Sequence, residues 1–211
     1  MSKPLAPLAA ALSLLAAAPA VAYGGDAYAC DYCEQFPYRS FRMQIQGGRT
    51  ITQGWGAQYL DNGLNVGLGF TWQPTAAVPL ALRADGTYQR FEARQLLLSQ
   101  AAANFGTNVD EGSVKMWGVD LDAELDFKVS YWAKLYFLVG GGWYDEQNSF
   151  QYQGTAVRRN TTGTHFAKNA GVGMEFANGG SVFFFIDARY MRLSVNGQNL
   201  DLIPIRLGLR F

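Results

Sequence analysis

From residue 41 to the C-terminus the chain alternates apolar and polar residues in stretches of about ten, each closed by a turn signal. A period of two sends successive side chains to opposite faces of a strand, and few folds accept a chain written this way throughout. The stretches cover residues 41–51, 64–72, 80–88, 117–127, 133–143, 166–176, 182–190 and 203–211. In Leu64-Asn-Val-Gly-Leu-Gly-Phe-Thr-Trp72 every even position is apolar and every odd one small or polar. In Trp117-Gly-Val-Asp-Leu-Asp-Ala-Glu-Leu-Asp-Phe127 the parity is reversed, and the polar face is almost wholly acidic. Eight antiparallel strands are predicted.

The links alternate in length. Short ones at residues 73–79, 128–132 and 177–181 join strands two to three, four to five and six to seven. Long ones at residues 52–63, 91–116 and 144–165 join one to two, three to four and five to six, and the last link, residues 191–202, is intermediate. Short turns on one side and long loops on the other are the pattern of an outer-membrane barrel, with both termini on the periplasmic side. A lipocalin-like soluble barrel would instead hide the apolar face. Aromatic placement decides between the two. Phe41, Trp72, Phe127, Phe176 and Phe211 stand at the short-turn ends of the apolar face, and Tyr88, Trp117, Trp143, Phe166 and Tyr190 near the long-loop ends. Two aromatic girdles around an aliphatic band match the two interfaces of a bilayer. The polar face is rich in glycine (Gly67, Gly69, Gly118, Gly140, Gly142, Gly171, Gly173), as a crowded lumen requires. The fold class is therefore all-β: an eight-stranded antiparallel up-and-down transmembrane β-barrel over residues 41–211.

Residues 1–22, MSKPLAPLAAALSLLAAAPAVA, have a basic start at Lys3, an apolar run and an Ala20-Val21-Ala22 cleavage pattern, which predicts a cleaved signal peptide. Residues 23–40 are expected to be a periplasmic segment, and its Cys30 and Cys33 to form a local disulfide outside the cytosol. A haem attachment would need His where Glu34 stands. The balance of 17 basic against 17 acidic residues excludes a nucleic-acid footprint. A single histidine and two cysteines leave no metal-ligand spacing, and no cofactor is expected.

The strand pattern, the Gly-rich stretch Gly63-Leu-Asn-Val-Gly-Leu-Gly-Phe-Thr-Trp72 and the terminal Leu209-Arg210-Phe211 resemble the small outer-membrane β-barrel proteins of Gram-negative bacteria, the opacity-protein and attachment-invasion-like group. The resemblance spans residues 41–211 and implies residence in the bacterial outer membrane. Leu209 and Phe211 resemble the signal read by the barrel-assembly machinery, although Gly208 stands nearer the end than that signal's usual glycine. Implied partners are outer-membrane lipid, lipopolysaccharide and the assembly machinery, for a monomer. Members act as adhesins, shielding barrels or narrow channels, and fold does not choose among these.

Strand parity gives an inward set of charges. The cations are Arg42, Arg83, Lys134, Arg189, Arg206 and Arg210, and the acids Asp85, Asp120, Asp122, Glu124, Asp126, Glu175 and Asp187. Strands four and eight stand on opposite walls, so the acidic row of strand four is expected to meet Arg206, Arg210 and Arg42 across a lumen that side chains can fill. A cation filter or carboxylate catalysis would use the same row. The near balance of charge favours an internal salt-bridge plug. A lipid-modifying enzyme would need a nucleophile beside His165, where Ala167 stands, so no catalytic set is expected. The segment Glu92 to Phe105 either forms a helix, lying on the outer leaflet or capping the barrel mouth, or extends strands three and four beyond the membrane, and these remain open. Arg158-Arg159 forms a cation pair in the next loop, suited to lipopolysaccharide phosphate or simply solvated. The expected role is structural or surface-interactive through the long loops. The alternatives are a narrow porin-like channel for ions or small solutes and, third, an outer-membrane lipid-modifying enzyme.

Overall fold

The computed structural model describes residues 36, 38–105, 109–152, 155–178, 180–195 and 197–211. The leader and the pair Cys30 and Cys33 lie outside the described residues. Eight strands close into one antiparallel barrel in sequence order: β1 (Phe41–Gln53), β2 (Gly63–Trp72), β3 (Leu80–Glu92), β4 (Val109–Lys128), β5 (Ala133–Tyr152), β6 (Thr155–Ala177), β7 (Phe183–Val195) and β8 (Gln198–Arg210). Two helices, α1 (Gly56–Tyr59) and α2 (Gln95–Phe105), interrupt the meander at one end. Closure is completed by the chain end: Met43 and Phe211 exchange backbone N–H···O bonds of 2.8 and 2.9 Å, so the terminal residue joins β8 to β1. A closed barrel leaves no strand edge unpaired.

The short turns are built from side chains that replace missing ladder bonds. In the β4–β5 turn Ser130 Oγ accepts the backbone N–H groups of Trp132 and Ala133 at 3.3 and 3.0 Å. In the β2–β3 turn Thr75 Oγ1 accepts from Ala77 N at 3.0 Å, and Gln73 Nε2 donates to the Val78 carbonyl at 3.0 Å.

The opposite end departs from the sequence expectation. Two of the segments read as links, residues 144–165 and 191–202, are largely strand: β5 runs on to Tyr152, β6 begins at Thr155, β7 reaches Val195 and β8 starts at Gln198. The β7–β8 connection turns at Gly197, whose φ of +79° is costly for any side chain. Ladder bonding continues past the bilayer because backbone groups still need partners there, while the two faces lose their polarity contrast and hence their alternation. In the segment Glu92 to Phe105 the helix is found: α2 fills Gln95–Phe105, only Glu92 belongs to β3, and β4 begins after the segment, at Val109.

The apolar face points out. Leu68 is 66%, Val119 55% and Leu207 62% exposed, whereas Arg83 is 1% and Arg210 0%. Exposed aliphatics over buried arginines invert the arrangement of a water-soluble domain. The ring pairs Phe41–Trp72 and Trp132–Phe176 border the short-turn end of this belt, at centroid separations of 6.5 and 5.8 Å. Tyr88–Trp117 and Trp143–Phe166 border the other end, at 4.4 and 5.4 Å.

Candidate functional site

The lumen is the chemically distinctive part of the molecule, and it has an ionic half and an apolar half. Nearest the short-turn end, Arg42 Nη1 donates to Glu175 Oε1 at 3.0 Å and lies 3.6 Å from Asp126. Lys134 Nζ closes the same layer, 2.9 Å from Asp126 and 3.4 Å from Glu175. One step inward Arg210 spans the barrel: its two terminal nitrogens meet the Glu124 oxygens at 2.9 and 3.0 Å, a bidentate fork between β8 and β4. Arg210 also reaches Glu175 at 2.5 Å and Gln44 at 3.0 Å, and its guanidinium lies 5.4 and 5.3 Å from the rings of Tyr136 and Phe185.

The next layer joins Arg83 to Asp85, Asp187 and Glu124 at 2.9, 3.2 and 3.5 Å. Arg206 donates to Asp187 at 2.8 Å and lies 3.7 Å from Asp85. Arg189 pairs with Asp122 and, at 2.5 Å, with Asp85. Asp120 ends the ionic half with no cation within 4.0 Å among the described residues, accepting hydrogen bonds from Tyr144 at 2.5 Å and Asn169 at 3.2 Å.

All the inward charges expected from parity thus face the lumen, and one pairing is corrected. Arg206 does not meet the acidic row of β4; its partners are Asp187 on the neighbouring β7 and Asp85 on β3. Asp122 is held by Arg189 instead. Strand tilt shifts the layers, so the side chain that faces Asp122 is not the one simple opposition of strands suggests. Parity also missed the neutral members, Gln44, Gln46, Tyr136, Tyr144, Asn169 and Phe185. The glycines were their signal: a Cβ on Gly118 or Gly173 would lie 2.3 Å from the ring of Tyr144 or Tyr136. Those glycines clear the space in which two tyrosines lie across the lumen.

Beyond Asp120 the interior is apolar on most walls, with one polar chain on β1–β3 in which Asn65 Nδ2 donates to Thr50 Oγ1 at 3.1 Å and Thr50 Oγ1 donates to Gln89 Oε1 at 2.9 Å. Phe91, Val114, Met116, Met191, Leu193, Leu200 and Leu202 form one buried cluster with Leu60, and Tyr59 and Leu97 pack on it from α1 and α2. Arg94 ties the two helices together, donating to Asp61 at 2.7 Å and to the Ala57 carbonyl at 2.6 Å. Leu98 and Ala101 of α2 pack on Phe150 of the extended β5. A cavity of about 420 Å³ lies between these helices and the wall, lined by Trp55, Tyr59, Leu97, Val114, Glu146 and Leu200 among others. His165 Nε2 is 3.2 Å from Glu146 at this mouth, and Glu146 also accepts from Asn148 at 2.6 Å. At the other mouth the ring of Phe36 stacks on inward-facing Phe183 at 5.4 Å.

A closed eight-stranded barrel with an aliphatic belt between two aromatic girdles, buried charge inside and lipid-ready surface outside, can rest only in a bilayer. The solved structures agree on architecture. Neisserial surface protein A superposes with a TM-score of 0.53 at 14% identity, covering 82% of this chain and 96% of that one. A major outer membrane protein from Thermus thermophilus gives 0.52 at 8% identity, covering 82% and 99%. The fold is that of the eight-stranded outer-membrane barrels. No family model matches the sequence, and no curated protein matches it. As an integral barrel of the bacterial outer membrane, the protein has its short turns and both ends of the strand meander at one mouth, and α1, α2 and the long β5–β6 hairpin at the other. Leu209 and Phe211 lie on the lipid side of the closing strand, Leu209 half-buried and Phe211 exposed. Outside the belt Arg192 donates to both oxygens of Asp201, at 2.7 and 3.2 Å, which holds that carboxyl below its ordinary range.

Proposed function

We propose that this outer-membrane barrel is sealed and works at its extracellular end, as a structural or surface-interacting, adhesin-like protein without a catalytic site. The observation that carries the reading is the plug: Arg83, Arg189 and Arg210 are fully buried and bonded to acids from other walls. An eight-stranded interior is just wide enough for side chains, and here they occupy it. The apolar cluster adds a second barrier that an ion would cross only at high cost.

The extracellular end supplies the contact surface. From Trp143 at the girdle to Tyr152, β5 adds about 30 Å of strand, and β6 accompanies it. His165 faces Glu146, and position 167 is Ala, so the histidine–carboxylate pair has no hydroxyl nucleophile two residues on. We read the protein as a monomer with Leu209 and Phe211 as its assembly signal, and outer-membrane lipid as its standing partner. Refolded protein in a planar bilayer should show no steady conductance steps. Reproducible ohmic steps with ion selectivity would assign it to the narrow channels instead.

A further inference from the structure

On the outer wall, strands β3 and β4 place two cations side by side. Arg90 and Lys115 are directly opposite in the register, both on the lipid-side face, Arg90 exposed and Lys115 half-buried. Neither has a carboxylate within 4.0 Å among the described residues, although Glu92 and Asp145 stand close along the strands. Like charges directly opposite on one face destabilise a sheet, and an anion bound between them would reverse the sign. One step towards the membrane the same two strands carry Tyr88 and Trp117, whose rings touch at a centroid separation of 4.4 Å in the outer girdle.

Beneath that pair the wall is hollow. A groove of about 770 Å³ opens to the lipid side between Val66, Leu68, Tyr88, Trp117, Val119 and Trp143. Its floor is Gly86, where an added Cβ would find only the Leu68 carbonyl oxygen, at an ordinary 3.8 Å. The absent side chain at Gly86 deepens this space at its centre. β3 runs outward from Leu80 to Glu92, so the groove lies in the extracellular half of the bilayer with the cation pair at its head. Asp145, hydrogen-bonded by Thr164 at 3.4 Å, marks the β5 rim and confines an anion to the β3–β4 side.

We propose that this groove seats one acyl chain of a lipid A molecule of the outer leaflet, with a lipid A phosphate held between Arg90 and Lys115. The match is one of charge and shape together: an apolar slot of chain width, aromatic walls at the interface, and two unpaired cations at headgroup height. The proposal rests on the outer-membrane placement and is independent of whether the lumen conducts.

The test uses the full-length barrel in phosphatidylcholine nanodiscs doped with purified diphosphoryl lipid A. Native mass spectrometry counts lipid A retained per barrel, and tryptophan fluorescence gives an apparent Kd. Wild-type protein should retain one lipid A. The double variant Arg90→Gln/Lys115→Gln should weaken binding about 25-fold, as expected for two interfacial cations. Gly86→Leu, which raises the floor of the groove without a backbone clash, should weaken it about tenfold. Both variants should keep the heat-modifiable gel shift of the folded barrel. Unchanged retention in the two variants overturns the proposal. A loss in the charge variant with none in Gly86→Leu overturns the seat, leaving a headgroup contact alone. Equal retention of phosphatidylglycerol overturns the assignment to lipid A.

Discussion

Arg189 and Asp122 give the sharpest test of the plug. Replacing Arg189 with Met keeps the aliphatic stem and removes the charge. Asp85 then still has Arg83 at 2.9 Å and Arg206 at 3.7 Å, but Asp122 loses its one cation within 4.0 Å among the described residues. Breaking a buried pair by removing one partner costs about 3–5 kcal/mol, mostly from the charge left behind. Asp122→Asn strands less, because Arg189 keeps Asp85 at 2.5 Å, and its cost should be about 2 kcal/mol, that of a hydrogen bond to a charged group. If the two groups act on each other, the double variant loses much less than the sum, with a coupling of at least ~2 kcal/mol. Pairing Asp122→Asn with Arg206→Ala should give a far smaller coupling, since these two are linked at one remove, through Arg189 and the acids Asp85 and Asp187 that it shares with Arg206. The assay is denaturant unfolding of refolded barrel in detergent, followed by tryptophan fluorescence and checked by the heat-modifiable gel shift. In a water-filled pore the same charges would be solvated and screened. An Arg189→Met barrel within about 0.5 kcal/mol of wild type, with new conductance steps, would refute a dry, paired lumen.

Three further outcomes are expected. Cysteines introduced in α2 (Gln95–Phe105) should react with a membrane-impermeant maleimide on intact cells, and cysteines in the Ser130–Trp132 turn should not; strong labelling of that turn would invert the topology. Gly118→Leu should destabilise the barrel by about 1–3 kcal/mol, because its Cβ lands 2.3 Å from the Tyr144 ring, and an added Tyr144→Ala should recover part of the loss in the same unfolding assay. Asp201 titrates below its ordinary range because Arg192 bonds its charged form, so the pair's contribution is present above the unfolded-state value and lost as pH falls through the lower folded one. Carboxyl NMR should show that midpoint rising towards the ordinary aspartate value in Arg192→Gln, and an unmoved midpoint would count against the bond.

The wall and the lumen were legible residue by residue. Alternation is a local property: once a strand forms, the position of Leu68 or Asp122 in the chain decides the face it takes, and that is why the belt and the inward charges could be read before any contact was known. The girdles were legible for the same reason, since Tyr88, Trp117 and Trp143 sit at fixed steps along their strands. Contact partners were not. Asp122 and Arg206 both point inward, yet the tilt and stagger of a closed barrel put Arg189 against Asp122 and Asp187 against Arg206. Stagger belongs to all eight strands together and has no signature in any one of them. The apolar outer half of the lumen escaped for a different reason. At Val114, Met116, Leu193, Leu200 and Leu202 the inward positions turn hydrophobic, so the alternation that marks a strand fades where the strands extend furthest. Neither the 420 Å³ cavity nor the groove over Gly86 could be inferred from sequence, because each is a space left between side chains of several strands. The chain's own order determined which residues face lipid and which face in; only closure of the barrel decided which of them touch.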